Sequence, residues 1–209
     1  MSFFSVDGPF YKFIATLWDV IKLNLLWILF SLPIVTMGAA TVAAFSVTNK
    51  MAEDREGYVG RQFMKAFKEN WKQGIPLGLL FLFCCYVVYL DFELQRVTES
   101  MAVQVFGILA CIFFISIFIY AFPLCARYEN TIKNTLMNSL QITIRYFPRT
   151  IALLVVLAIE LVLFLFNSTT LFFMLLIGPV CIIFTISGFS MYIFRRIESD
   201  NGEKEEEGK

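Results

Sequence analysis

Long runs of apolar residues alternate with shorter polar segments along this chain. Five of these runs cover roughly residues 17–37, 75–92, 101–123, 150–167 and 170–194. Each run approaches or exceeds the ~20 residues that an α-helix needs to cross a bilayer. Because lipid offers no hydrogen-bonding partner to the backbone, only a helix satisfies the backbone groups within such runs. The pattern therefore predicts an all-α, polytopic membrane bundle with five transmembrane helices.

Two of the polar segments carry apolar residues at the spacing of an amphipathic helix. In the first segment the apolar positions are Val59, Phe63, Phe67 and Trp71. In the second segment they are Tyr128, Ile132, Leu136, Leu140 and Ile144. Lys and Arg residues lie beside both stripes. We therefore predict two cytosolic amphipathic helices, which either lie on lipid headgroups or dock against another protein.

The first apolar run is interrupted by Pro33, which is followed by the stretch TMGAAT. Proline removes a backbone donor and crowds the preceding turn, so the helix should kink there. The two Thr residues can donate hydrogen bonds to freed carbonyls, and the small residues that begin with Gly38 and Ala39 permit close helix packing. We expect a kinked helix inside the bundle. The alternative is a re-entrant hairpin of residues 24–36 and 38–50, which would put the N-terminus inside.

Composition indicates that lipid is the solvent for much of the surface. Hydrophobic residues make up 58% of the 209 residues, whereas soluble domains are ~45–50% apolar. The net charge is zero, so no general attraction to nucleic acid is expected. His is absent, which excludes His-dependent nucleophiles and most zinc sites. No P-loop for direct ATP binding is present. We expect no catalytic residue, metal or cofactor, and the five Cys fit apolar packing.

Lys and Arg residues are concentrated in two of the polar segments. The first contains Lys50, Arg55, Arg61, Lys65, Lys68 and Lys72. The second contains Arg127, Lys133, Arg145 and Arg149. The positive-inside rule therefore predicts that both segments and the C-terminus are cytoplasmic in a plasma-membrane protein. Five spans then place the N-terminus outside.

Glu160 lies in the middle of the fourth apolar run. A charged residue at that depth costs about 2.5–3.5 kcal/mol on insertion scales, so Glu160 should avoid lipid and face a partner. Lys22 is the candidate cation, and Asn24 is a candidate hydrogen-bond partner. Two alternatives are a neutral carboxyl that serves packing and a site coupled to protons or ions.

The chain ends in the acidic stretch ESDNGEKEEEGK, which has no apolar residue. Such a composition cannot bury enough apolar surface to order itself. We therefore predict a single transmembrane domain over residues 1–196 and a disordered tail over residues 197–209.

Three stretches, in order, resemble the YesL-like family of small integral membrane proteins, most of them from Gram-positive bacteria. They read LNLLWILFSLPIVTMGAATVAAFSV, EGYVGRQFMKAFKENWKQG and YENTIKNTLMNSLQITIRYFPRT. The most specific part is the combination of Trp27, Leu32, Pro33, Thr36 and Gly38. The resemblance implies a domain of unknown function without a catalytic motif. Its members are often encoded beside carbohydrate ABC importers.

The resemblance leads us to expect a non-catalytic accessory subunit of an oligosaccharide or polysaccharide ABC importer. Such a subunit would pack against permease subunits. The expected contact residues are Phe63, Phe67, Trp71, Gly38 and Ala39. Two other functions remain open: a stand-alone small-solute transporter or channel that uses Glu160, and a membrane-embedded sensor of sugar status.

Overall fold

The computed structural model describes residues 9–53, 58–98 and 101–207, and over these residues it contains helices and no strand. The helices are α1 (Pro9–Ser31), α2 (Met37–Met51), α3 (Val59–Thr98), α4 (Met101–Arg127), α5 (Ile132–Arg145), α6 (Phe147–Leu165) and α7 (Ser168–Glu207). Arg55 of the first basic segment lies outside the described residues.

Five of these helices are long and apolar enough to cross a membrane, which confirms the predicted fold class. The qualifying segments are Ile14–Ser31, Val59–Arg96, Met101–Arg127, Phe147–Leu165 and Ser168–Asp200. Their outward faces are strongly apolar: Phe106 is 75% exposed and Phe172 is 63% exposed. Exposed aromatic surface of this extent is stable only when lipid covers it.

The first apolar run forms two separate helices, so the expected kinked single helix is wrong. α1 ends at Ser31, a short 3₁₀ turn covers Ile34–Thr36, and α2 begins at Met37. The hydroxyl of Thr36 donates to the Phe30 carbonyl at 2.7 Å, which satisfies a group that the break at Pro33 would leave open.

The break at Pro33 folds α2 back beside α1. The indole nitrogen of Trp27 donates to the hydroxyl of Thr41 at 3.1 Å. In one continuous helix these residues would lie about 21 Å apart along the axis. The pairing therefore agrees with the hairpin alternative. At 15 residues, α2 is about 22 Å long, which is shorter than the hydrocarbon core.

α2 forms the centre of the bundle and packs mainly against α3. Its small residues make this possible, because Gly38 and Ala39 meet Gly74 and Gly78 of α3 with almost no side chain between the backbones. A Cβ atom added to Gly78 would lie 2.5 Å from the Cα atom of Gly38. The predicted close helix packing at Gly38 and Ala39 is present, and it joins α2 to α3 within this chain.

The first amphipathic segment is not a separate helix, because α3 runs for 40 residues through Pro76 and joins that segment to the second span. The second amphipathic segment does form its own helix, α5. It begins at an N-cap, where the hydroxyl of Thr131 accepts from the amide of Asn134. It ends at Arg145, and Tyr146 separates it from α6, which begins at Phe147 with Pro148 in its first turn.

The last helix continues beyond the predicted domain boundary. α7 extends to Glu207, whereas the sequence predicts disorder from residue 197. Because α7 is already helical before residue 197, the tail can extend it without nucleating a new helix. The Glu residues of the tail also favour the helical state. Ion pairs also hold the extension, since Glu198 binds Arg127 at 3.1 Å and Asp200 binds Arg145 at 3.6 Å. Residues 208–209 lie outside the described part.

Candidate functional site

Glu160 faces α7 and forms no ion pair within the described residues. Its Oε1 atom accepts a hydrogen bond of 2.6 Å from the hydroxyl of Thr185, and its Oε2 atom is buried without a partner. The expected pairing with Lys22 is wrong, because Lys22 binds Asp19 at 3.2 Å on its own helix. A lone half-satisfied carboxyl within a span is consistent with either a neutral acid or a proton-linked group.

Asn24 is fully buried and connects α1 to α7. Its amide nitrogen donates to the carbonyls of Leu175 at 3.1 Å and Leu176 at 2.7 Å. In α7 the carbonyl of Leu175 would normally accept from residue 179, but Pro179 has no backbone N–H. Asn24, which lies on α1, therefore supplies the hydrogen-bond donor that α7 lacks at the Leu175 carbonyl. Its carboxamide does not bind Glu160, whose described partner is Thr185.

The predicted contact residues are mostly buried inside the chain. Phe63 has no exposed surface, and its ring lies 5.5 Å from that of Phe30. Phe67 also packs on Phe30, with ring centroids 4.9 Å apart. Ala39 is fully buried, whereas Trp71 is 48% exposed. In this conformation, Trp71 is the aromatic residue of the α3 stripe that a partner could reach.

Arg127, at the end of α4, joins three segments of the chain. Its Nε and Nη2 atoms donate to the two carboxylate oxygens of Glu198, each at 3.1 Å, and its Nη1 atom donates to Glu53 at 2.7 Å. The hydroxyl of Tyr128 also donates to Glu198. Two-point pairing between guanidinium and carboxylate is the strong form of a charge-assisted hydrogen bond. We call Arg127, Glu53, Glu198 and Tyr128 the Arg127 hub.

A polar cavity of about 380 Å³ lies against the Arg127 hub, with Asn49 and Lys50 in its lining. Asn49 is 6% exposed, and neither polar atom of its side chain has a partner among the residues that the structure describes. Water is the simplest occupant of such a space, because buried water satisfies buried polar groups of this kind. We call the end of the bundle that carries Lys50, Arg127 and Arg145 the basic end.

A second cavity, of about 490 Å³, lies between the helices in the middle of the bundle. The residues that line it are almost all apolar and come from α1, α2, α3, α4, α6 and α7. Ile115 in its lining is 44% exposed, so the space is open on one side and is not an enclosed void.

α5 attaches to the bundle through its small polar residues. Thr135, Ser139 and Thr143 are all buried, and Thr143 donates to the Ser116 carbonyl of α4 at 3.3 Å. Ile142 is buried with them, whereas two other apolar side chains point away: Met137 is 50% exposed and Ile144 is 64% exposed. The helix therefore presents an uncovered apolar face at the basic end.

No group of three or more His, Cys, Asp or Glu residues within the described ranges is arranged to hold a metal ion. The sequence analysis missed the Arg127 hub and both cavities. Their residues are far apart in the chain, and no local spacing brings them together. The one available signal was that charged residues cluster at the ends of three spans.

Five apolar helices of membrane length, joined by buried polar contacts, define a polytopic α-helical membrane protein. The family model described as "Protein of unknown function, DUF624" matches residues 20–92. The chain is also 30% identical over 122 residues to the uncharacterized protein YesL of Bacillus subtilis (strain 168). Within the membrane-protein class, the chain is therefore similar to YesL-like proteins over part of its length, and these matches support the resemblance that its Trp-Leu-Pro-Thr-Gly pattern indicates.

The alignment with YesL covers 56% of this chain and 58% of that protein, which is less than two thirds of its length. The family match covers α1 from Val20, the Pro33 break, α2 and α3 as far as Phe92. It thus includes the folded-back α2. No solved structure matches the chain.

Proposed function

We propose that this protein is a non-catalytic accessory subunit of a carbohydrate ABC importer and packs against permease subunits in the plasma membrane. The observation that carries the proposal is the uncovered apolar face of α5, where Met137 and Ile144 point outward. The resemblance to the YesL-like family supplies the expected kind of partner.

The geometry of α5 favours docking over a purely structural role. A helix that only completed the bundle would bury its large apolar side chains and expose its Thr and Ser residues. α5 does so only in part: Ile142 is buried, but Met137 and Ile144 are exposed while Thr135, Ser139 and Thr143 are buried. Arg145, beside this face, is 63% exposed at its side chain even though it pairs with Asp200. An apolar patch bordered by basic groups fits a protein surface that carries an apolar groove and acidic residues.

The proposal includes an orientation in which the basic end is cytoplasmic. Because α2 folds back beside α1 and ends at the basic end, the N-terminus then lies inside as well, and not outside as five simple spans would place it. The Lys and Arg distribution supports this orientation through the positive-inside rule. On this orientation α5 lies at the cytoplasmic surface, where it is accessible to the parts of a permease that face the cytoplasm. Labelling of single Cys variants at Asn201 and Asp7 with a membrane-impermeant thiol reagent tests the orientation. Both positions should react only after the cells are opened, and reaction of Asn201 in intact cells would contradict the orientation.

The docking proposal is tested by placing a photo-crosslinking amino acid at Ile144 or, as a control, at Asn134. Both residues are exposed on α5, but Asn134 lies about 80° around the helix from Ile144. We expect the Ile144 variant, in the native host, to form a crosslink with a carbohydrate permease subunit identified by mass spectrometry. Adducts with lipid alone, or equal adducts at both positions, would contradict the proposal.

A second candidate function is a stand-alone transporter of a small solute, which the unpaired Oε2 atom of Glu160 favours. A carboxyl that gains and loses a proton within a span is a common element of coupled transport. Glu160→Gln keeps the shape and the acceptor for Thr185 but removes the titration. If the purified protein transports solute into liposomes and this variant does not, the transporter function is better supported than the accessory-subunit function.

A further inference from the structure

The cavity of about 490 Å³ in the middle of the bundle has the chemistry of a hydrocarbon site. Its lining carries no charged side chain. The indole of Trp27 and the hydroxyl of Thr41 also line it, but they are hydrogen-bonded to each other. A ligand in this space therefore meets apolar surface and few free donors or acceptors.

Water does not suit this space. A buried water needs two to four polar partners, and apolar cavities of this kind stay dry. An empty space of this size is also unfavourable, because the side chains around it lose their packing contacts. The remaining solvent available to a membrane protein is the hydrocarbon of the bilayer.

The cavity is closed at one end and open at the other. Phe45, Phe122 and Ile186 are buried in its wall, whereas Ile115 is 44% exposed. Ile115 lies within the third apolar span, so the open end faces the level of the lipid chains. A flexible chain can enter there from the side, and its polar headgroup can remain outside the cavity.

We propose that this cavity binds one hydrocarbon chain of a membrane lipid, either a fatty acyl chain or a polyprenyl chain. The chain lies between the folded-back α2 and the spans α4 and α7, and it contacts Trp27. It completes the core that α2 alone is too short to fill. This inference rests on the cavity and is independent of the proposed importer partner.

The first test is native mass spectrometry of the purified protein and of two Leu→Trp variants on α6. Leu157 lines the cavity, whereas Leu163 is 61% exposed on the surface of the bundle. Wild type and Leu163→Trp should each carry about one equivalent of bound lipid, and Leu157→Trp should retain clearly less because the indole projects into the space that the chain would occupy. The mass of the released molecule distinguishes an acyl lipid from a polyprenyl lipid. Equal lipid retention in both variants would overturn the proposal.

The second test avoids any change in the cavity wall and so does not depend on how Leu157→Trp folds. In the Trp18→Phe, Trp71→Phe variant, Trp27 is the remaining tryptophan of the three in the chain. Lipid with brominated chains should quench its fluorescence with saturation near one equivalent. A chain that retains only Trp18, which is 58% exposed, should show gradual quenching without saturation. If the quenching curves of Trp27 and Trp18 have the same shape, or if Trp27 is not quenched, the cavity is not a specific lipid site.

Discussion

Asn24 on α1 donates a hydrogen bond of 3.1 Å to the carbonyl of Leu175 on α7, the group for which Pro179 provides no helical donor. The two helices are therefore linked at a point where α7 cannot satisfy its own backbone. In hydrocarbon an unsatisfied carbonyl is costly, so this contact selects which helix lies beside the proline.

This relationship predicts that the cost of losing Asn24 depends on Pro179. Asn24→Leu should destabilise the protein by about 2 kcal/mol, because a buried carbonyl loses its donor. In a Pro179→Ala background the new N–H can bind Leu175, so the same substitution should cost clearly less. Thermal unfolding of wild type, the two single variants and the double variant in mild detergent measures the coupling between the two positions. Additive effects would show that Asn24 does not act through this carbonyl.

Two glycine substitutions should have opposite effects on stability. Gly78→Ala would bring a Cβ atom to 2.5 Å from the backbone of Gly38, so we expect a loss of about 3 kcal/mol. Gly188→Ala, within α7, meets no heavy atom within 4 Å and should stabilise the helix by about 0.5–1 kcal/mol. Unfolding curves of both variants provide the measurement. A harmless Gly78→Ala would contradict the close contact between α2 and α3.

Arg127 and Glu198 should be energetically coupled. Arg127 is only 22% exposed at its side chain and makes two hydrogen bonds to Glu198, so Arg127→Ala should cost about 2 kcal/mol. A double-mutant cycle with Glu198→Ala should give a coupling energy near 1 kcal/mol. The matched control is the exposed pair Lys65–Glu69, at 3.8 Å, whose coupling should stay below about 0.5 kcal/mol. Equal couplings would mean that the hub contributes no more than a surface ion pair.

Tyr128 should make the stability of the basic end sensitive to alkaline pH. Burial and the hydrogen bond to Glu198 raise the pKa of Tyr128 to about 12, above the ~10 of an unperturbed tyrosine. Because the folded state favours the protonated phenol, its stabilising contribution is complete below about pH 10 and is lost as the pH rises toward about 12.

The measurement for Tyr128 is thermal unfolding of wild type and Tyr128→Phe across this alkaline range. Wild type should lose more stability than the variant, since Phe has no proton to release. Tyr58→Phe is the control, because Tyr58 is 80% exposed, and it should follow wild type. If all three proteins respond equally to pH, Tyr128 is not the group responsible.

Local features of the sequence predicted several elements correctly. The five spans follow from uninterrupted apolar runs, and the break follows from Pro33. Thr36 was expected to satisfy a freed carbonyl and does so. Each of these depends on residues within a few turns of one another, where helical periodicity determines the neighbours.

Other features could not be predicted, because they depend on distances between remote segments. Glu160 binds Thr185 instead of Lys22, which sits on a different part of the bundle. Phe63 lies on the apolar stripe that suggested a contact surface, yet Phe30 and α2 cover it completely. A stripe shows that a face will be buried, but it does not show whether this chain or another protein buries it.

The sequence by itself determined that the protein is helical and dissolved in lipid, because apolar runs of membrane length leave the backbone no other way to satisfy its hydrogen bonds. It also determined where the first run breaks. The tertiary structure decided that α2 folds back into the centre, which carboxylate Arg127 binds, and that an apolar cavity remains between the spans. These outcomes depend on how side chains from distant helices fit together, and packing of that kind is settled only when all the helices are in place.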